Sequence, residues 1–129
     1  MVTIDGEASV VVGNHRDRLE KDFQKHVLEV AETVGWEWHH ETDSTKSKAG
    51  FPDLVMWNTE ASRLLIVELK TDKGRFRKRQ KEVIDELRYI SQVAGFEVYV
   101  WRPKQWDLIV QILKVFSYDV FNKLKETEK

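Results

Sequence analysis

Three residues near the middle of the chain carry groups that could act together chemically: Asp53, Glu68 and Lys70. Alternation from Leu64 to Lys70 sends Leu65, Val67 and Leu69 to one side of a strand and Ile66, Glu68 and Lys70 to the other. A carboxylate and an ammonium thus project from one face at the strand's C-terminal end, where α/β sheets commonly hold ligands. Asp53 opens the preceding strand, directly after Phe51-Pro52. A hairpin is expected to hold those two ends apart along the strands unless they diverge, so spacing alone leaves open whether Asp53 meets Glu68. A strand-end Glu–Lys pair on the surface is the other reading of the same residues. Just downstream, Lys70 to Lys81 holds seven bases (Lys70, Lys73, Arg75, Arg77, Lys78, Arg79, Lys81) against one acid, Asp72. The whole chain carries −1, so this stretch is +6 and the remainder −7. Such segregation of charge suits phosphate binding.

The elements that must position these groups follow from hydrophobic spacing. Phe23, Val27, Val30, Ala31 and Val34 recur at helical intervals between Arg16 and Val34, and Gly35 stops that helix. Trp36 to His40 alternates as a strand, followed by a polar loop from Glu41 to Gly50. Asp53 to Trp57 and Arg63 to Lys70 form a hairpin joined by residues 58–62. A second helix spans about Phe76 to Ala94, with Val83, Ile84, Leu87, Ile90 and Ala94 on one face and Gly95 at its end. A strand from Phe96 to Trp101 and a last helix opened by Pro103, carrying Leu108, Ile109, Ile112, Leu113 and Phe116, complete the order α-β-β-β-α-β-α. The second helix reads as a crossover, which makes the strands on either side of it parallel in a mixed sheet flanked by helices.

Composition narrows the function classes. At 129 residues with 41% hydrophobic and 33% charged residues, 6 Gly and 2 Pro, the chain is globular and fits one domain. We expect a loose arm over residues 1–15, a domain over 16–122 and a charged tail over 123–129. The absence of cysteine excludes disulfide scaffolds, thiolate zinc sites and cysteine nucleophiles, and suits a reducing cytoplasm. No apolar run approaches the ~20 residues of a membrane span. The histidines offer no metal spacing, since His39 and His40 alternate faces. Four of the five Trp (Trp36, Trp38, Trp57, Trp101) fall in strands and read as core.

Helix phase singles out two further polar groups. Glu20 sits at the centre of the stripe made by Phe23, Val27, Ala31 and Val34, whereas Glu29 lies on the opposite side. Gln80 falls four residues after Phe76 and three before Val83, again within an apolar stripe. Polar groups at such positions cost free energy unless partnered, which makes both candidates for function. The alternative for each is a group near a helix end that reaches solvent.

The residues Gly50-Phe51-Pro52-Asp53, then after fourteen positions Glu68-Leu69-Lys70, resemble the PD-(D/E)xK nuclease signature. Their neighbours sharpen the likeness: Glu20 with Phe23-Gln24, Gly35-Trp36, His40, Gln80 and Val100-Trp101-Arg102-Pro103. This ensemble is similar to the compact VRR-NUC nucleases of phage and bacterial type, from Leu19 to about Leu113. The resemblance implies a restriction-endonuclease-like core and a cofactor, Mg²⁺ or Mn²⁺, held by Asp53, Glu68 and the backbone carbonyl of Leu69, with Glu20 acting directly or through water. It gives Lys70 the task of positioning a water or offsetting transition-state charge, and places Gln80 in the same site. Lys73, Arg75, Arg77, Lys78 and Arg79 would hold flanking phosphates, or form only a solvated helix face. Lys46 and Lys48 could touch the DNA backbone or belong to a plain surface loop.

The function that follows is a metal-dependent endonuclease acting on structured, Holliday-junction-like DNA in the cytoplasm of a bacterial or phage-infected cell. A non-catalytic DNA-binding module on a nuclease-like fold is the rival, and a phosphodiesterase for small nucleotides lacks a Gly-rich phosphate cradle. A homodimer is expected because a junction is resolved by paired cuts. Val10-Val11-Val12, Tyr118, Val120, Phe121 and Leu124 offer spare apolar surface for it.

Overall fold

A computed structural model of the protein describes residues 15–41 and 50–114. The element order matches the expected one: α1 (His15–Val34), β1 (Glu37–His40), β2 (Leu54–Asn58), β3 (Arg63–Leu69), α2 (Lys78–Ala94), β4 (Glu97–Trp101), a 3-10 turn (Pro103–Gln105) and α3 (Trp106–Lys114). The strands form one sheet in the order β1-β2-β3-β4, antiparallel except for the parallel β3–β4 pair that α2 bridges. Except for His15, the expected arm and tail lie outside the described residues, as do Lys46 and Lys48.

The core lies on one face of the sheet. Leu54, Met56, Leu65, Val67, Leu69 and Trp101 pack there against Phe23, Val27 and Ala31 of α1 and Ile109 and Leu113 of α3. Each such fully buried aliphatic side chain stabilises the fold by about 1.5–3 kcal/mol. The opposite face holds Ile66 and Glu68, and α2 covers it beside β4.

Three expectations are corrected. In the hairpin, Leu54 faces Val67, and one further step of the antiparallel ladder sets Asp53 beside Glu68. The start of the first strand therefore lies next to the end of the second, not apart from it. On α2 only Val83 and Ile84 are buried, while Ile90 is 52% and Val93 93% exposed. The helix leans on the edge strand β4, so its second half runs past the sheet with nothing above it among the described residues. Trp38 and Trp57 are each more than a third exposed. Trp38 shares the face of Met56 but sits on the edge strand β1, where its Nε1 donates to Glu32 of α1, and Trp57 lies on the opposite face, away from the β4 side on which α2 packs.

The end of the sheet remote from Glu68 is tied by a polar knot. Arg63 makes a bidentate pair with Glu97 at 2.7 Å, donates to the Ile112 carbonyl at 2.8 Å and stacks over Trp36, whose Nε1 donates to the Leu113 carbonyl. Tyr99 donates to the same Glu97 carboxylate at 2.6 Å. Two carbonyls in the last described turn of α3 thereby accept from groups of β3 and of the entry to β1. Replacing Arg63 by Ala leaves Glu97 without its counter-ion and the Ile112 carbonyl without its donor. We expect the unfolding free energy in urea to fall by about 2–4 kcal/mol; a loss below about 0.5 kcal/mol would mean the knot is only a surface pair.

Candidate active site

Asp53 and Glu68 hold one another through the backbone. The Asp53 N–H donates to Glu68 Oε1 and the Leu69 N–H donates to Asp53 Oδ2, both at 3.2 Å. Beyond Leu54 the two strands no longer exchange ladder bonds, and these carboxylates take over the amides that the hairpin leaves unpaired. Glu68 is 2% exposed, the single buried charged residue among those described. Gly50 sets the approach of this segment. It adopts φ +92°, and a Cβ there would lie 2.8 Å from both Cγ and the carbonyl oxygen of Arg79. Gly50, three residues before Asp53, is thus packed directly on the first turn of α2, the turn that carries Gln80.

Gln80 links that turn to the carboxylates. Its Oε1 accepts from the Arg77 N–H at 2.9 Å and from Lys70 Nζ at 3.2 Å, and its Nε2 donates to Glu68 Oε2 at 3.4 Å. Lys70 Nζ also lies 3.5 Å from Glu68 Oε2. Helical phase expected Gln80 to reach the sheet from within a stripe begun by Phe76. Instead Arg77 is extended and the helix starts at Lys78, so Gln80 arrives as the third helical residue, capping the backbone N–H at its own helix start. Phe76 stays outside the helix and lies under Lys70 Nζ at 5.2 Å and Arg102 at 5.9 Å. Arg102 Nη1 in turn donates to the carbonyls of Thr71 and Gly74, at 2.6 and 2.8 Å, clasping the loop that leaves Lys70.

Sequence reasoning missed both supports, although Arg102 sits in the quoted Val100-Trp101-Arg102-Pro103 run. An arginine directly after an apolar strand was the available signal.

The remaining candidates are more scattered. Glu20 is half-buried about one turn before Phe23, which is buried in the core. Among the described residues no group of three or more His, Cys, Asp or Glu side chains gathers as a metal site, so Glu20 does not form a triad with Asp53 and Glu68. Lys73, Arg75, Arg77 and Lys78 are exposed around the loop and the start of α2. Arg79 is engaged with Glu82 at 3.4 Å and Glu86 at 3.7 Å. His39 is exposed and His40 half-buried.

Residues 10–105 match the model of the VRR-NUC domain family. No curated protein matches the chain. Among solved structures, that of Archaeoglobus fulgidus Hjc, a Holliday junction resolvase from an archaeal hyperthermophile, is similar at 23% identity over 67% of each chain, with a TM-score of 0.41.

The electrostatics of the cluster are dominated by desolvation. Burial first, and then the neighbouring charge of Asp53, push the Glu68 carboxyl up to about 7, against the opposing pull of Lys70. Two carboxylates crowded in this way form a hard-oxygen donor set that a divalent cation would relieve. Without metal, the unfolded chain releases the Glu68 proton near 4.5 while the folded one keeps it to about 7. Glu68 therefore costs the folded state increasingly as pH rises through that window. In EDTA, the stability of wild type relative to Glu68→Gln should fall by roughly 1–3 kcal/mol from pH 4.5 to 7.5, measured by urea unfolding. A rise over that window would show Glu68 stabilised as the carboxylate.

Proposed function

The chain belongs to the VRR-NUC domain family, and on that premise we propose that it is a Mg²⁺- or Mn²⁺-dependent DNA endonuclease acting on branched, Holliday-junction-like DNA. The observation that carries this reading is the convergence of Asp53, Glu68, Lys70 and Gln80 into one contact cluster. A module that only binds DNA gains nothing from two carboxylates held together beside phosphates, one of them buried at a cost. Branched DNA is the substrate class implied by the likeness of stand-alone members of the family to junction resolvases.

Asp53, Glu68 and the Leu69 carbonyl are the residues that would hold the metal, with Glu20 acting through water. When bound, such a cation polarises the phosphate and lowers the pKa of a water. Lys70 has three N–H donors. Gln80 Oε1 engages one of them and Glu68 Oε2 lies 3.5 Å away as an ion-pair partner, which leaves at least one for the attacking water or a non-bridging phosphate oxygen. The fixed ammonium offsets charge that grows on the phosphoryl group, and it needs no reorganisation to do so. Gln80 is a positioning residue: it holds Lys70 at one end and Glu68 at the other. Lys73, Arg75, Arg77, Lys78 and Arg79, with Lys46 and Lys48, would hold phosphates on either side of the scissile bond. The ion pairs of Arg79 are exposed and weak, so exchanging them for phosphate costs little.

Paired cuts in a junction call for two such sites, so we assign the working unit as a homodimer. The apolar segments first considered for that contact, residues 10–12 and 118–124, lie outside the described residues. Support comes instead from Tyr89, Ile90 and Val93, which form an exposed apolar face on the second half of α2.

Asp53→Asn, Glu68→Gln and Lys70→Ala should each lower cleavage of labelled junction DNA by at least about 10²–10³-fold while keeping a cooperative unfolding transition. Gln80→Ala and Glu20→Gln should lose about 10–100-fold. Near wild-type rates in two of the first three would remove the nuclease assignment, and faster cutting of linear duplex than of junctions would remove the branched-DNA part. Light scattering at micromolar concentration should give twice the 15.3 kDa of one chain. Ile90→Glu with Val93→Glu should return that mass to a single chain, and a wild-type monomer on junction DNA would count against paired cutting.

A further inference from the structure

A basic depression is lined in part by Phe76, the ring that also lies under Lys70 Nζ. It has a volume of about 350 Å³, and its rim carries Lys81, Arg88, Arg102 and Lys104 against a single acid, Asp85. These four bases come from three places in the fold, α2, the residue after β4 and the 3-10 turn, and they converge on one concavity beside the edge strand. The other flank of α2 is different. There Arg79 is met by two acids, Glu82 and Glu86, so that group carries no positive excess. In the depression Asp85 pairs with Lys81 at 3.7 Å, but both side chains are more than half exposed, and a pair of that kind is worth little. A net positive cleft with apolar walls focuses potential and draws an anion in.

Arg102 connects the depression to the catalytic cluster. Its loop-clasping bonds are all made by Nη1, which fixes the guanidinium in place without losing rotamer entropy when a ligand arrives. Lys70 Nζ and the Arg102 guanidinium carbon lie 5.2 and 5.9 Å from the same Phe76 ring centre, so they are within about 11 Å of one another. One strand of DNA can therefore engage both cations.

We infer that this depression binds a backbone phosphate of the DNA substrate that flanks the scissile one, with the strand passing over Phe76. This rests on the nuclease reading and adds to it a subsite on the β4 side of α2, separate from the basic loop at residues 73–79. A phosphate there would be met by a fixed guanidinium and by mobile ammonium and guanidinium groups, the combination that backbone contacts commonly use.

The test is DNA binding by fluorescence anisotropy in EDTA, which prevents cleavage, across a series of salt concentrations. Arg102 is left intact because it holds the loop. The variant Lys81→Ala/Arg88→Ala/Lys104→Ala should bind junction DNA at least about tenfold more weakly at low salt, with the slope of log affinity against log salt reduced by about 2–3. The charge-keeping variant Lys81→Arg/Arg88→Lys/Lys104→Arg should retain most of the affinity. Should the triple alanine variant misfold, Arg88→Glu alone must still weaken binding and lower the slope. Wild-type affinity and slope in the alanine variant would overturn the inference and leave the nuclease reading standing. If wild type binds no DNA at all, both fall.

Discussion

Two like charges that would separate in water are held together here by the main chain. Asp53 and Glu68 each accept an N–H from the other's segment, where the hairpin ladder ends. In effect each carboxylate replaces a missing strand partner, so the amides that would otherwise be orphaned pin the acids in place. The cost appears on Glu68, buried beside another carboxylate and pushed towards neutrality. Two carboxylates crowded in this way would be relieved by a nearby cation, and a buried acid with so displaced a titration is a candidate functional group.

Around that constraint the surrounding contacts read as supports. Gly50 lets the chain before Asp53 approach the first turn of α2 closely, and Gln80 uses that turn to reach both Glu68 and Lys70. The same amide oxygen closes the helix start by accepting from Arg77. Lys70 lies over Phe76 and the following loop is clasped by Arg102, so the ammonium is restrained on its ring side and along the chain. A side chain carrying three rotatable donors becomes a fixed charge only when its neighbours remove its freedom. The last strand and its arginine therefore serve the site although they contribute no group to the carboxylate cluster.

The far end of the sheet is organised by different means. Arg63, Glu97, Tyr99 and Trp36 join β3, β4, the end of α3 and the entry to β1 through charge-assisted bonds. Glu97 is held below the usual carboxylate range by Arg63 and Tyr99, against the effect of burial. This acid is stabilised as an ion while Glu68 is driven towards neutrality. Burial pushes both carboxyls up, and partner chemistry decides whether it is outweighed: Glu97 faces a bidentate guanidinium and a phenol, whereas Glu68 faces another carboxylate and a single ammonium at 3.5 Å. One end of β3 is a structural anchor and the other carries the candidate site.

What the sequence determined by itself was the order of elements, the parallel crossover and the alternation that puts Glu68 on the face opposite Leu65, Val67 and Leu69. Those follow from local periodicity, which depends only on residues near in the chain. The family was also legible, because its spaced residues span most of the domain. Tertiary structure decided what periodicity cannot carry. The meeting of Asp53 with Glu68 depends on hairpin register, and Gln80 reaches the site through a cap rather than a stripe because the helix begins two residues later than expected. The exposure of Ile90 and Val93 depends on where α2 crosses the sheet edge. The roles of Phe76 and Arg102 arise from contacts between segments about thirty residues apart, and no local pattern encodes such a pairing.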